Sequence, residues 1–168
     1  QRQMCIRDSY LVAPQARSRA GGYHFLGTKC GALFNGPILV LAKVIKNVMA
    51  SAAEAEVGAL FMNAQLAAPM RVTLEELGHQ QPATPMKTDN STANGILNGT
   101  IKQQRSKAID MRFYWLKDRA EQGQFKIYWA PGDENWADHF AKHHSTAHHG
   151  TVRPAHLNEP NLSLIHIS

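Results

Sequence analysis

Three acidic side chains stand where predicted helices and strands begin or end, and carboxylates in such places can bind hard metal ions. Glu56 lies near the start of a predicted helix, Asp89 at the end of a predicted strand, and Asp138 in the last predicted helix. Mg²⁺ prefers oxygen ligands, and metal ions held by converging carboxylates can promote phosphoryl transfer. Exposed carboxylates are common in proteins, so their spacing alone makes this a hypothesis.

A second set of side chains, rich in histidine, could bind a transition metal. His139 precedes the stretch HHSTAHHG, and imidazole nitrogens are common ligands of Zn²⁺. No cysteine accompanies this cluster, and a flexible tail would explain the same composition. An unrelated metal-binding protein is therefore an alternative, which zinc in the purified protein would support.

The positive charge of the chain favours a polyanionic partner. The net charge is +5, with lysine and arginine interleaved with aromatic residues, as in many nucleic-acid-binding proteins. The predicted contacts to a nucleic-acid backbone are Arg17, Arg19, Lys102, Arg105 and Lys107, and Asn90 is predicted to position the nucleic acid. Asn90 has a simpler alternative, since asparagine often caps the helix that follows it. A basic surface without a partner would give the same charge.

Composition narrows the class of protein. The chain has 168 residues, a length that suits one monomeric domain with its own core. No apolar run approaches the roughly 20 residues that cross a bilayer, so no membrane partner is expected. Two cysteines cannot build a disulfide framework, which favours a reducing, intracellular setting.

The predicted elements follow the order β-β-β-α-β-α-β-α. Apolar and β-branched runs predict strands at SYLVA, GGYHFLG, ILVLAKVIKNVMA, TPMKTD and QFKIYWA. The first three strands follow one another directly, and the later ones arrive through helices. This order predicts a mixed sheet in an α/β fold, with antiparallel hairpin strands first and parallel strands added later.

Capping residues predict where the helices begin and end. Ser51 and Glu54 match a capping box at the start of the first helix, and Gly78 is a natural end. Pro69 predicts a kink or a restart within that helix. The segment NSTA predicts a turn or helix start, RSKAIDMRFYWLKDRAEQG a long helix, and NWADHFAKHH a final short helix. Trp115, Tyr114 and Trp129 are expected in the core.

Four blocks of the chain, ASAAEAEVGALF, TDNSTA, RSKAIDMRFYWLK and NWADHFAK, carry a family resemblance. In this order they resemble the signature blocks of the ribonuclease H domain of copia-type retrotransposon polyproteins. The family blocks read approximately SSTEAEYxAL, CDNxSA, RTKHIDxRYHFI and xxADxxTK, and Ala108 stands where the family usually has histidine. The resemblance covers roughly residues 10–150 and implies a ribonuclease H-like fold, a five-stranded mixed sheet flanked by helices.

The resemblance also implies a function. Members of the family hydrolyse the RNA strand of RNA–DNA hybrids, using two Mg²⁺ ions, or Mn²⁺ in their place, held by four carboxylates. Carried over, Glu56 is the second carboxylate, Asp89 the third and Asp138 the fourth, while Glu54 is better explained as the capping-box acid. The implied partners are an RNA–DNA hybrid and the remainder of the polyprotein, in a cytoplasmic virus-like particle or the nucleus.

The first carboxylate is expected to be missing. The family begins its first strand D-A-S-Y-L, whereas Arg7 stands three positions before Tyr10 in this chain. Asp8 falls on the alanine position, and a one-residue slip would turn its side chain to the opposite face of the sheet. We therefore expect impaired catalysis and a truncated first strand. The alternative is a non-catalytic nucleic-acid-binding remnant with the same fold.

Both ends differ from the rest of the chain in pattern. QRQMCIRDS and LSLIHIS resemble translated sequencing-adapter sequence rather than part of a domain. The predicted division is a non-native tail at residues 1–8, the ribonuclease H-like domain at 9–150, a C-terminal extension at 151–161 and a second non-native tail at 162–168.

Overall fold

The computed structural model describes residues 2–27, 36–101, 107–132 and 135–156. The strands are β1 (Arg2–Ala13), β2 (Arg17–Leu26), β3 (Pro37–Val44), β4 (Thr84–Thr88) and β5 (Phe125–Trp129). The helices are α1 (Ala52–Glu76), α2 (Ser91–Leu97), α3 (Lys107–Glu121), α4 (Asp138–Ala141) and α5 (Thr146–His156). Within the described ranges, no helix has both the length and the apolar character that crossing a membrane requires.

The strands form one mixed sheet in the order β3-β2-β1-β4-β5. The pairs β1–β2 and β2–β3 are antiparallel, whereas β1–β4 and β4–β5 are parallel. The hairpins can return the chain directly, while each parallel pairing requires a helical crossover. The predicted mixed sheet, with hairpin strands first and parallel strands added later, is confirmed.

The two faces of the sheet are covered by different helices. Helices α1 and α3 cover the first face, where a core cluster includes Met4, Ile6, Leu60, Met86 and Leu116. Helix α4 lies against the second face, where Tyr23, Phe25 and Ala137 form a smaller cluster with Trp136 and Phe140. Side chains at alternate strand positions therefore point toward different helices.

The first strand extends further than the sequence pattern predicted. It spans 12 residues from Arg2, whereas the domain was expected to begin at Ser9 with a short, truncated strand. Met4 and Ile6 are fully buried, and β1 pairs with β2 on one edge and with β4 on the other. The alternation of apolar residues in the supposed tail therefore suits a central strand.

Helix α1 begins at a capping box and contacts the start of β4 near its other end. Its start matches the predicted capping box, since the Glu54 amide donates to Ser51 Oγ and the Ala50 amide to Glu54 Oε2. The helix runs through Pro69 without ending there, so the predicted restart is wrong. Near its end, Arg71 Nη1 donates to Thr84 Oγ1 at the start of β4.

The end of the chain differs from the prediction. The predicted last helix, residues 135–144, is a short α4 followed by a separate helix. That helix, α5, includes most of the histidine-rich stretch for which a flexible tail was the simpler explanation, and it crosses the expected domain boundary at residue 150. Helix therefore replaces the expected tail, and His148 and His149 of α5 lie against His139 of α4.

Candidate active site

Glu56 lies in the second turn of α1 and is completely buried. Its Oε1 atom accepts a hydrogen bond of 2.5 Å from the Thr88 hydroxyl, at the end of β4. A carboxylate is rarely buried without polar partners, because removing it from water is costly. This bond therefore links the first turns of α1 to the carboxyl end of β4.

Asp89 follows Thr88 directly, where β4 ends. The backbone carbonyl of Asp89 accepts a hydrogen bond of 3.0 Å from Trp129 Nε1, at the end of β5. The Asn90 side chain accepts the amide of Ala93 at 2.9 Å and so caps α2. Asp89 is thus held between a neighbouring strand and a capped helix, and for Asn90 the capping alternative is the one observed.

Asp138 is the first residue of α4, on the other face of the sheet. Its carboxylate lies 2.9 Å from Lys142 Nζ. Just before it, Asn135 Nδ2 donates to the Ile6 carbonyl of β1 at 2.7 Å. Gly21 makes room for the helix, since a Cβ there would lie 2.6 Å from the Ala137 carbonyl oxygen. These contacts fix Asp138 above the centre of β1 and β2.

The register of β1 with its two neighbouring strands places Arg7 relative to Asp89 and to helix α4. In the parallel pair β1–β4, Cys5 lies opposite Lys87, so continuing the register brings position 7 opposite position 89. In the antiparallel pair β1–β2, Arg7 lies opposite Gly21, against which α4 packs. The backbone of Arg7 therefore lies between the end of β4, where Asp89 follows, and the residue of β2 against which α4 packs.

Arg7 and Asp8 belong to different faces of the sheet. Arg7 pairs with Gly21, which faces α4, whereas Asp8 pairs with Ala20, which belongs to the core beneath α1. Neighbouring residues of a strand alternate between faces. Only the backbone of these two residues is described, and that backbone gives Asp8 a different face from the position that Arg7 occupies.

Glu56, Asp89 and Asp138 lie in or beside three different elements, and they do not form a group of potential metal ligands whose donor atoms all lie within 4.8 Å of one another. Among the described residues, the group of potential metal ligands whose donor atoms lie within 4.8 Å of one another consists of His139, His144 and His148. Carboxylates repel one another, and a cation between them would favour their close approach. Glu56, Asp89 and Asp138 offer the oxygen donors that Mg²⁺ or Mn²⁺ prefers, which fits the donor chemistry of such a site.

The basic residues fall into two groups. Arg17 and Arg19 are half-buried in β2, and Arg19 lies two residues from Gly21, or roughly 7 Å along the strand. Lys102 and Arg105 lie outside the described residues, and for Lys107 only the backbone of α3 is described. Arg17 and Arg19 are thus the predicted phosphate contacts whose distance from the carboxylates can be judged.

Two residues near Asp89 were not predicted as part of a site. Trp129 is 49% exposed rather than in the core, and its indole nitrogen holds the Asp89 backbone. Lys87 is buried in β4, two residues before Asp89 and therefore on the same face of the strand. Trp129 is the last residue of β5, which lies at the edge of the sheet. A position at the end of a strand was the sequence feature that could have indicated its exposure. Tyr114 is also exposed, whereas Trp115 packs against the core as predicted.

Comparisons with known proteins identify the fold. The sequence matches no protein-family model and no curated protein. The structure resembles the N-terminal ribonuclease H domain of a Mycobacterium tuberculosis protein, with a TM-score of 0.59, 15% identity, and coverage of 83% of this chain and 95% of that one. It also resembles LC11-RNase H1 in complex with an RNA/DNA hybrid, with a TM-score of 0.59, 10% identity, and coverage of 83% and 93%.

A third solved structure is similar to a smaller extent. It is RNase H1 from the archaeon Halobacterium salinarum, with a TM-score of 0.52, 17% identity, and coverage of 83% of this chain and 93% of that one. At such low identities the likeness concerns the fold. The chain has the ribonuclease H-like fold that the four sequence blocks implied.

Proposed function

We propose that the chain is the ribonuclease H domain of a copia-type retroelement polyprotein, adapted to hydrolyse the RNA strand of RNA–DNA hybrids. The proposal rests chiefly on Glu56, a fully buried carboxylate that reaches from α1 to the residue before Asp89. The ribonuclease H-like fold and the four sequence blocks support it. LC11-RNase H1, whose fold is similar, was solved with an RNA/DNA hybrid.

The metal ligands in this proposal are Glu56, Asp89 and Asp138, and the ions are two Mg²⁺, with Mn²⁺ as a substitute. When bound, such ions activate the attacking water and stabilise the departing 3′ oxygen. The protein's own residues prepare the carboxylates. Thr88 orients Glu56 through its hydroxyl, and the Lys142 ammonium offsets the charge of the Asp138 carboxylate.

Catalysis by this copy is proposed to be impaired. Arg7 stands where the family has its first aspartate, and Lys87 adds a second positive charge on the same region of the sheet. Two divalent ions a few ångströms apart repel each other, and the bridging carboxylate that offsets this repulsion is absent. The second candidate function, a non-catalytic domain that binds nucleic acid, is favoured by this same substitution.

Recognition of the hybrid is assigned to the basic residues. Arg17 and Arg19 of β2 would contact the phosphate backbone, with Lys102, Arg105 and Lys107 as further contacts. The choice of the RNA strand would depend on its 2′-hydroxyl groups in the wide minor groove. The working location in this proposal is a virus-like particle in the cytoplasm or the nucleus, with the rest of the polyprotein as partner.

Repair of the first strand tests the proposal. The chain as it stands should cleave a labelled RNA–DNA hybrid poorly or not at all in the presence of Mg²⁺. The double variant Arg7→Asp/Asp8→Ala recreates the family's D-A-S-Y-L and should restore cleavage. In that repaired chain Asp89→Asn should abolish it, whereas Asp118→Asn, which changes a carboxylate on the exposed side of α3, should leave it unchanged.

The outcomes separate the two candidate functions. Cleavage that appears with the repair and disappears with Asp89→Asn supports the nuclease. If the repaired chain binds the hybrid but does not cut it, the binding remnant is the correct description. Full cleavage by the unrepaired chain would mean that Asp8 acts in a shifted register, and the assignment of Arg7 would be wrong.

A further inference from the structure

A group of histidines lies beside the carboxylates but uses a different kind of ligand. His139 lies in α4, His144 follows that helix, and His148 lies in the first turn of α5. One ring nitrogen from each lies within 4.8 Å of the other two. Three imidazoles from two helices and the segment between them thus converge in the space of one metal ion.

The orientation of His144 suits a metal ligand. Its Nε2 atom lies 3.0 Å from the carbonyl oxygen of Asp138. A carbonyl oxygen can only accept, so Nε2 carries the proton and Nδ1 has the lone pair. Metal-binding histidines typically donate their second ring N–H to a carbonyl or carboxylate in this way, which fixes the ring and increases its basicity.

The other two rings are also held in place. The rings of His144 and His148 are stacked with centroids 4.0 Å apart, and His139 is stacked on both at 5.6 Å. The Nδ1 atom of His139 is buried. The stacks bring the three rings together, and the rings must rotate out of them before their in-plane nitrogen lone pairs can converge on one ion.

We propose that His139, His144 and His148 bind one zinc ion. Tetrahedral Zn²⁺ with bonds of about 2.0–2.1 Å to nitrogen places its ligand atoms about 3.3 Å apart. Side-chain rotations that draw the donors together by up to about 1.5 Å complete the site. Three histidines with water as fourth ligand form an established coordination set for zinc. His149, whose ring centroid lies 4.8 Å from that of His139, is a further imidazole beside this group.

The zinc site would hold α5 against α4. Its ligands join Asp138–Ala141 to the first turn of Thr146–His156, and the Asp138 carbonyl receives the His144 N–H. The Asp138 carboxylate points to another partner, Lys142, and is not among the three ligands. The site therefore fixes the segment that carries Asp138 without using its carboxylate, and it does not depend on nuclease activity.

Zinc binding can be measured on the full-length chain without an affinity tag. The protein is stripped with a chelator, incubated with Zn²⁺, separated from free metal by gel filtration and analysed for bound zinc. One zinc per chain is expected. His144→Ala and His148→Ala should each weaken binding by more than about 100-fold, because even changes to residues behind a metal ligand weaken it roughly 10–100-fold.

Matched controls separate this site from adsorption to a histidine-rich surface. His143→Ala changes an exposed neighbour outside the group of three and should keep one zinc per chain. Co²⁺ in place of zinc should give the intense visible absorption of a tetrahedral site, and His148→Gln, which retains a polar side chain of similar length, should remove that absorption.

Each outcome decides the proposal. A stoichiometry near one that falls with His144→Ala and His148→Ala, but not with His143→Ala, supports it. Absence of bound zinc overturns it, as does an equal loss from the His143→Ala control. Should the alanine variants unfold by circular dichroism, the cobalt spectra of the unaltered chain and His148→Gln decide: a spectrum like that of cobalt in water for the unaltered chain also overturns the site.

Discussion

At the scale of single residues, the buried bond between Thr88 and Glu56 connects folding to the proposed chemistry. Glu56 is 0% exposed, and the Thr88 hydroxyl donates to it at 2.5 Å. A carboxylate held in the interior is costly to the fold and is retained where it serves a purpose. Its contribution can therefore be measured as stability even in a chain that does not cleave.

We predict that Thr88→Val lowers the free energy of unfolding by about 1.5–3 kcal/mol, the usual contribution of a hydrogen bond to a charged group. Valine retains the shape of threonine but leaves the carboxylate without this donor. Urea denaturation followed by circular dichroism measures the change. Thr73→Val is the matched control: Thr73 is exposed, and its hydroxyl donates to the Pro69 carbonyl of the same helix at 3.1 Å. This variant should shift stability by no more than about 0.5 kcal/mol.

An equal effect of both threonine changes would contradict the importance of the Thr88–Glu56 bond. The same residues show how far sequence alone could assign the carboxylates. Glu54 was expected to be the capping-box acid, and its bonds to Ser51 and Ala50 confirm that role. The burial of Glu56 could not be predicted, because helical periodicity puts Glu54 nearer the apolar stripe, and only the packing of α1 on β4 distinguishes the two.

At the scale of elements, the sheet was predictable where its connections are short. Hairpins and helical crossovers leave few topologies, so the mixture of antiparallel hairpin strands and later parallel strands was predicted correctly, whereas the order of the strands was not predicted. Residues 2–8 were excluded because their composition looked foreign, yet Met4 and Ile6 alternate as a central strand requires. Helix α5 was missed because clustered histidines indicate composition rather than periodicity, and its contacts with α4 arise only in the folded chain.

The packing of α4 against β2 gives a prediction for this scale. We expect Gly21→Ala to lower the free energy of unfolding by about 1–3 kcal/mol, the typical cost of overpacking. The added Cβ would lie 2.6 Å from the Ala137 carbonyl oxygen and 3.1 Å from Ala141 Cβ, so the helix that carries Asp138 would have to move. Thermal and urea unfolding measure the loss.

Gly150→Ala provides the control for that change. Gly150 lies within α5, and a Cβ there would meet nothing within 4 Å. Alanine in an exposed helix interior is favoured over glycine by about 1 kcal/mol, so this variant should be neutral or more stable. A destabilisation of similar size at both glycines would show that the contact between α4 and β2 does not set the cost at Gly21.

At the scale of the whole molecule, the position of the basic residues matters more than the net charge of +5. Arg17 and Arg19 lie on the same strand as Gly21, within reach of the region where Asp89 and Asp138 are found. A nucleic acid bound across that region would neutralise them with its phosphates. Lysines elsewhere, such as Lys117 of α3 and Lys126 at the start of β5, contribute equally to the net charge but not to that region.

Hybrid binding should therefore depend on salt in a way that identifies these residues. Each phosphate contact adds about −0.9 to the slope of log affinity against log salt for a duplex like B-DNA. We expect Arg17→Glu/Arg19→Glu to weaken binding at low salt and to reduce the magnitude of that slope by about two, one for each lost contact. Fluorescence anisotropy with a labelled RNA–DNA hybrid, over a series of salt concentrations, measures both quantities.

Lys117→Glu/Lys126→Glu changes the net charge by the same amount and should leave most of the slope intact, because distant exposed charges are screened by salt. Equal losses from the two double reversals would mean that the hybrid responds to overall charge alone, and the assigned contacts in β2 would be wrong.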